Sequence, residues 1–87
     1  MVALPFMWHV YIVRCADSSL YTGVARDLSA RVCAHNAGRG AKYTRSRLPV
    51  ELVYRELAED RGAALRREHE IKRMTPEVKR ALIGPQG

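Results

Sequence analysis

The chain has 87 residues, with 15 Lys and Arg against 9 Asp and Glu and a formal net charge of +6. A chain this short buries only roughly 60–65% of its unfolded surface, so it has room for one small core, and a single domain over residues 1–87 is expected. The cation excess points to a polyanionic partner; the plainer alternative is a basic surface that serves only solubility.

The opening segment, MVALPFM, has no basic stretch and meets Pro5 at once, which argues against a targeting sequence. The longest apolar runs are far too short to span a bilayer. Cys15 and Cys33 form no Cys-x-x-Cys pair and have no metal-ligand spacing to His9, His35 or His69. Each is expected to be a small buried apolar residue, which suits a reducing cytoplasm.

Residues 8–15 and 20–24 read as strands, because Trp, Tyr, Val, Ile and Thr dominate and Ala16-Asp17-Ser18-Ser19 makes a polar turn between them. Each arm carries a tyrosine, Tyr11 and Tyr21. A register pairing Val13 with Tyr21 and Tyr11 with Gly23 puts both phenols on one face, whereas a one-residue slip separates them. Gly23 inside a strand marks close approach of another group. Asp27 caps a helix over residues 28–37, on which Arg31 and His35 lie one turn apart beside Leu28 and Val32. Residues 39–49 read as a loop. Within it "GRGAKYTRSR" holds Arg39, Lys42, Arg45 and Arg47 without an acid and Tyr43 at its centre. Such a loop can follow a phosphodiester backbone while the ring stacks on a base. Residues 50–56 read as a third strand. Asp60 caps a second helix to about residue 74, and Thr75 with Pro76 starts a third. On the second helix, Ala64, Leu65, Ile71 and Met74 share one side, and Glu68 falls within that sector. A carboxylate there needs a partner: a metal ion, or an arginine from another element. The β-β-α-β-α-α order predicts an α+β domain, a small three-stranded antiparallel sheet flanked by helices. The core is expected over about residues 8–74, with a flexible segment 1–6 and a disordered tail 84–87.

Taken together, these residues resemble the GIY-YIG nuclease superfamily. Val10-Tyr11-Ile12 stands at the first tripeptide and Tyr21-Thr22-Gly23 at the second. Arg31 and His35 follow with helical spacing, and "ALRREHEIK" is similar to the helix that carries the family's metal-binding glutamate, here Glu68. The likeness runs from about residue 8 to 74 and is strongest to small stand-alone bacterial members. Relatives include the nuclease domain of the excision-repair incision protein, homing endonucleases and a branched-DNA resolving nuclease. Val10 replaces the first glycine and Thr22 the second isoleucine. The asparagine that some relatives use after the glutamate helix has no counterpart beyond Asn36. The separate DNA-binding domain of target-specific relatives has no room in this chain, so a protein partner is expected to supply specificity.

The resemblance implies a metal-dependent endonuclease acting on DNA, with a role in repair or recombination. One divalent ion, Mg²⁺, would be held by Glu68 and otherwise by water and phosphate. Arg31 would clamp the scissile phosphate, and Tyr11 would act as general base with Tyr21 and His35 shaping the proton path. A phenol with a pKa of about 10 needs help to act as a base near neutrality, and Arg31, Lys42 and the metal are the candidates. On sequence alone, either tyrosine can take the proton. The alternatives are a non-catalytic DNA- or RNA-binding module of the same fold, or a small basic structural protein. The latter explains the charge but not Glu68.

Overall fold

The computed structural model describes residues 7–85. Residues 1–6, and 86–87 of the expected tail, lie outside it. The first two strands, β1 (Trp8–Arg14) and β2 (Leu20–Ala25), form an antiparallel hairpin. Its turn is held locally: Asp17 Oδ1 accepts from the Ser19 amide at 3.0 Å, and Ser18 takes a left-handed conformation with φ of 71°. Short polar side chains favour this kind of turn because they can satisfy nearby backbone donors. The register is Val13 opposite Tyr21 and Tyr11 opposite Gly23, as the side-chain pattern predicts.

Asp27 Oδ1 accepts from the Ala30 amide at 3.0 Å and starts α1 (Leu28–Asn36). The stretch expected to be a loop contains one helical turn, α2 (Lys42–Arg45). The third strand, β3 (Glu51–Ala58), then pairs antiparallel with the free edge of β1, with an irregularity between Ile12 and Val13. Just before it, Asn36 acts as a surrogate strand residue: Val50 N–H donates to Asn36 Oδ1 at 2.7 Å, and Asn36 Nδ2 donates to the Val50 carbonyl at 3.1 Å. Asp60 caps α3 (Arg61–Lys72) through the Ala63 amide, and Thr75 caps α4 (Pro76–Ile83) through the Val78 amide. The second helix thus stops earlier than expected, at Lys72, and Met74 packs from beyond its end.

The sheet order is β2-β1-β3, so β1 is central. Alternation along it divides the core in two. Tyr11 and Val13 pack with Leu28, Ala25 and Val50 on the α1 face, whereas Val10 and Ile12 pack with Ala64 and Ile71 on the α3 face. Covered on both sides, Val10 to Val13 are completely buried. Arg67 fastens α3 to β3: its Nε lies 3.0 Å from Glu56 Oε1, which also accepts from the Tyr54 hydroxyl at 2.7 Å. One expectation fails here. Cys15 is buried, but Cys33 is exposed, because on α1 the neighbouring positions Val32 and His35 turn toward the sheet and residue 33 turns away.

Candidate active site

Tyr11 lies on the most buried strand, yet its hydroxyl has polar partners. The ring crosses over Gly23: a β-carbon at that position would lie 2.6 Å from the phenol oxygen and 2.8 Å from Cζ. The glycine is therefore required by the tyrosine opposite it. The Tyr11 hydroxyl is 2.8 Å from His35 Nε2, and Arg31 Nε donates to the same oxygen at 3.4 Å.

His35, in the last turn of α1, is fully buried. Its Nδ1 is 2.9 Å from Thr44 Oγ1, and the Thr44 hydroxyl donates to the Ala41 carbonyl at 2.9 Å. Thr44 has one proton, and the carbonyl takes it. The hydroxyl oxygen is thus left to accept from His35 Nδ1–H, so the neutral imidazole presents a lone pair at Nε2 and the Tyr11 hydroxyl donates to it. Gly40 makes this contact possible. A β-carbon there would lie 2.8 Å from His35 Cα and from Cγ. The glycines of the basic segment thus serve different ends: Gly38 takes a φ of 79° just beyond the helix, and Gly40 lets the chain press against the imidazole.

Burial pushes the Tyr11 phenol above its ordinary value, and the Arg31 hydrogen bond and charge oppose the rise. Burial, with Arg31 beside it, pushes His35 below its ordinary value. Arg31 is held more firmly charged by its bond to Tyr11, against the effect of its own burial. At neutral pH the group is therefore a neutral phenol and a neutral imidazole under a guanidinium cation.

Tyr21 closes one side. Its ring meets His35 edge-on at 5.5 Å between centroids and stacks on Tyr43 at 6.0 Å with a 22° tilt. Tyr43 in turn carries the Arg47 guanidinium 3.9 Å from its ring centre. Arg47 is fully engaged within the fold, donating to Asp17 Oδ2 at 3.1 Å and to the Tyr43 carbonyl at 2.7 Å. It ties α2 to the β1–β2 turn. Arg39, Lys42 and Arg45 point to solvent instead and make no ion pair among the described residues.

Glu68 stands apart. It lies on α3, whose apolar side covers the opposite face of the sheet from Tyr11 and Tyr21. Its side chain is 18% exposed, and its ion-pair partner is Lys72, one turn on, at 3.5 Å. An arginine from another element was the expected structural partner; the lysine comes from the same helix. Lys72 Nζ lies 5.7 Å from the Tyr21 ring centre, so Glu68 meets the phenols by way of the β2 edge. Its negative charge is close enough to raise the Tyr11 pKa.

Among the described residues, no group of three or more His, Cys, Asp and Glu side chains is arranged to hold a metal ion. The carboxylate donor near the β2 edge is Glu68, reached through Lys72. A single carboxylate is a hard oxygen donor and fits a cation that keeps most of its water. Thr22, in the cleft that Lys72 lines, has a buried Oγ1 without a hydrogen-bond partner. Thr44, Gly40 and Lys72 carried no recognisable signal in the sequence.

On this small α+β sheet the Tyr11 phenol thus bonds both the His35 imidazole and the Arg31 guanidinium. The chain belongs to the GIY-YIG catalytic domain family, whose pattern residues 7–80 match. Within that family it is similar to UPF0213 proteins. It is 58% identical over 74 residues to the UPF0213 protein of Staphylococcus aureus strain Mu3, covering 85% of this chain and 90% of the relative. The UPF0213 protein SA0446 of S. aureus strain N315 matches to the same extent, 58% over 74 residues. The solution NMR structure of UPF0213 protein BH0048 from Bacillus halodurans is 38% identical, has a TM-score of 0.58, and covers 91% of this chain and 88% of its own. No helix among the described residues is long and apolar enough to cross a membrane.

Proposed function

We propose that the protein is a metal-dependent endonuclease that hydrolyses DNA phosphodiester bonds, in repair or recombination. The observation that carries this reading is the chain from the Tyr11 hydroxyl to His35 Nε2 and from His35 Nδ1 to Thr44 and the Ala41 carbonyl. It gives the phenol's own proton a place to go. Tyr11 need not be ionised beforehand: as its oxygen takes a proton from water, its own proton passes along the 2.8 Å bond to the lone pair of His35. Burial keeps the Nε2 lone pair of His35 free for it, while the same burial, with Arg31 beside it, makes the imidazole a weaker base, so the proton is taken only as the water is activated.

Arg31 bonds Tyr11 through Nε and meets the Tyr21 hydroxyl too, and its planar cation can match two phosphate oxygens at once. Glu68 would hold a divalent ion, Mg²⁺, otherwise bound by water and phosphate, which when bound supplies Lewis-acid stabilisation of phosphate charge. Tyr21 fixes the imidazole edge and shields the proton path from bulk water. Arg39, Lys42 and Arg45 draw the polyanion toward the cleft, and Tyr43, 40% exposed, presents its ring edge to the strand, since Tyr21 and Arg47 already pack against the ring. Target choice among DNA or RNA structures falls to a partner protein. One observation favours a binding module without catalysis, namely that Glu68 already has Lys72 as a counter-charge.

The test is incubation with labelled single-stranded, duplex, flapped and branched DNA and a structured RNA, with and without Mg²⁺. The wild type should cut at least one DNA in a Mg²⁺-dependent way. Tyr11→Phe and His35→Gln should each lower the rate by about 10²- to 10⁴-fold while DNA binding persists. Absence of cleavage on every substrate at high protein concentration would establish the binding module instead.

A further inference from the structure

Beyond Leu20 from the tyrosines, the β1–β2 turn and α4 enclose a cavity of about 560 Å³, against about 280 Å³ for the cleft beside Tyr21. Ser18 and Ser19 form one wall, Arg14, Lys79 and Arg80 supply cations, and no acidic side chain lines it. Lys79 and Arg80 make no ion pair among the described residues, and Arg14 has only a long, exposed one to Glu51 at 3.5 Å. Such a pair is worth little and yields readily to a better anion. The Ser19 hydroxyl is already donated to Asp17 Oδ1, so the anion donors of this wall are the Ser18 hydroxyl and the cations. A concave site with several cations and no acid in its lining suits a phosphate oxyanion.

Its position says more than its charge. Leu20 and Lys79 line both this cavity and the cleft that holds Tyr21, Tyr43 and Lys72, so the two are continuous along the β2 edge. At a strand rise of about 3.3 Å per residue, Ser19 lies roughly 13 Å along β2 from Gly23, the residue opposite Tyr11. A nucleic-acid strand carries one phosphate per about 3.4 Å of duplex axis, so one strand can occupy both places. We infer that this cavity is a second phosphate-binding site, which holds the substrate strand a few nucleotides from the phosphate at Tyr11 and Arg31. Lys72, Lys79 and Arg80 form the track between them. The inference rests on the reading of the substrate as nucleic acid. It adds a polarity to the complex: the strand leaves the tyrosines over the β2 edge toward α4, on the side away from β3.

The experiment is a salt titration of binding to a fluorescein-labelled single-stranded oligonucleotide in EDTA, by anisotropy. It compares the wild type, Lys79→Ala/Arg80→Ala, and Arg61→Ala/Arg66→Ala. The last pair removes the same charge from exposed positions on α3. For two lost phosphate contacts, the slope of log K against log[salt] should become shallower by about 1.4 in the α4 variant and stay at the wild-type value in the α3 variant. Equal weakening in both would mean that the DNA reads net charge only, and would overturn the site. An unchanged slope in the α4 variant overturns it as well. Amide shifts at Ser18 and Ser19 on adding inorganic phosphate alone, as large as those with the oligonucleotide, would make it a free-anion pocket and end the strand assignment. Mg²⁺-dependent cleavage of the same oligonucleotide with an unaltered slope refutes only the second site, whereas no wild-type binding refutes the nucleic-acid reading with it.

Discussion

Thr44 shows how one hydroxyl can set the chemistry of a residue it does not share an element with. With its O–H donated to the Ala41 carbonyl, it can only accept from His35, and this leaves the imidazole lone pair facing Tyr11. Thr44→Val would strand a buried N–H, at a cost of about 1–3 kcal/mol, while Thr44→Ser should restore the bond. The burial of neutral His35 also has a pH signature. Its folded pKa lies below the ordinary value of about 6.5, so on acidification the unfolded chain takes up the proton first. Stability from this residue is complete above about pH 6.5 and declines as pH falls toward the lower folded value. Thermal melts between pH 7 and pH 5 should show the wild type losing melting temperature more steeply than His35→Gln. Parallel curves for the two proteins would mean that His35 is protonated as readily in the fold as out of it.

At the scale of elements, the β1–β2 hairpin is a pairing of one large ring with one missing side chain. Tyr11 fits because Gly23 has no β-carbon, and no other residue fits without moving the ring. Gly23→Ala should therefore behave as overpacking, destabilising by about 1–3 kcal/mol in denaturant melts, although alanine is the better strand residue by propensity. A neutral or stabilising outcome would show that the ring can shift freely. The short α2 belongs to the same assembly. It is locked to the hairpin by Arg47, which bonds Asp17 and the Tyr43 carbonyl, and by the Tyr21–Tyr43 stack. The basic segment is consequently a wall of the cleft, with Arg39, Lys42 and Arg45 on its outer side.

For the molecule as a whole, the sheet separates two half-sites. Tyr11, His35 and Thr44 lie under α1 and α2, and the Glu68 carboxylate comes from α3 on the other face. Substrate must reach both around the β2 edge, where Lys72 stands between Glu68 and Tyr21. Glu68→Gln separates the enzyme reading from the binding reading. The ion pair it breaks is an i,i+4 pair worth about 0.3–0.5 kcal/mol, so metal-free melts should hardly move. On the nuclease reading, Mg²⁺-dependent cleavage should fall by orders of magnitude while DNA binding in EDTA is kept. A large loss of melting temperature, with activity lost only in proportion, would make Glu68 a structural residue.

Local interactions made much of this legible from the sequence. Asp27, Asp60 and Thr75 each bond an amide three residues on, and the hairpin parity follows from matching Tyr11 to Gly23, so caps, strands and register need no distant information. The spacing of Arg31 and His35 likewise placed both on the helix side that meets Tyr11. Contacts formed only when the chain folds back were not legible. Thr44 meets His35 because residues 37–41 return across the end of α1, a path that depends on Gly40 lying against the imidazole. Arg47 looked like its cationic neighbours until Asp17, far away in the chain, was seen to claim it. The helical periodicity around Glu68 says that it lies on a buried side, but not which face of the sheet that side covers. The connection that carries α3 past β3 decides this, and with it the separation of the carboxylate from the phenols.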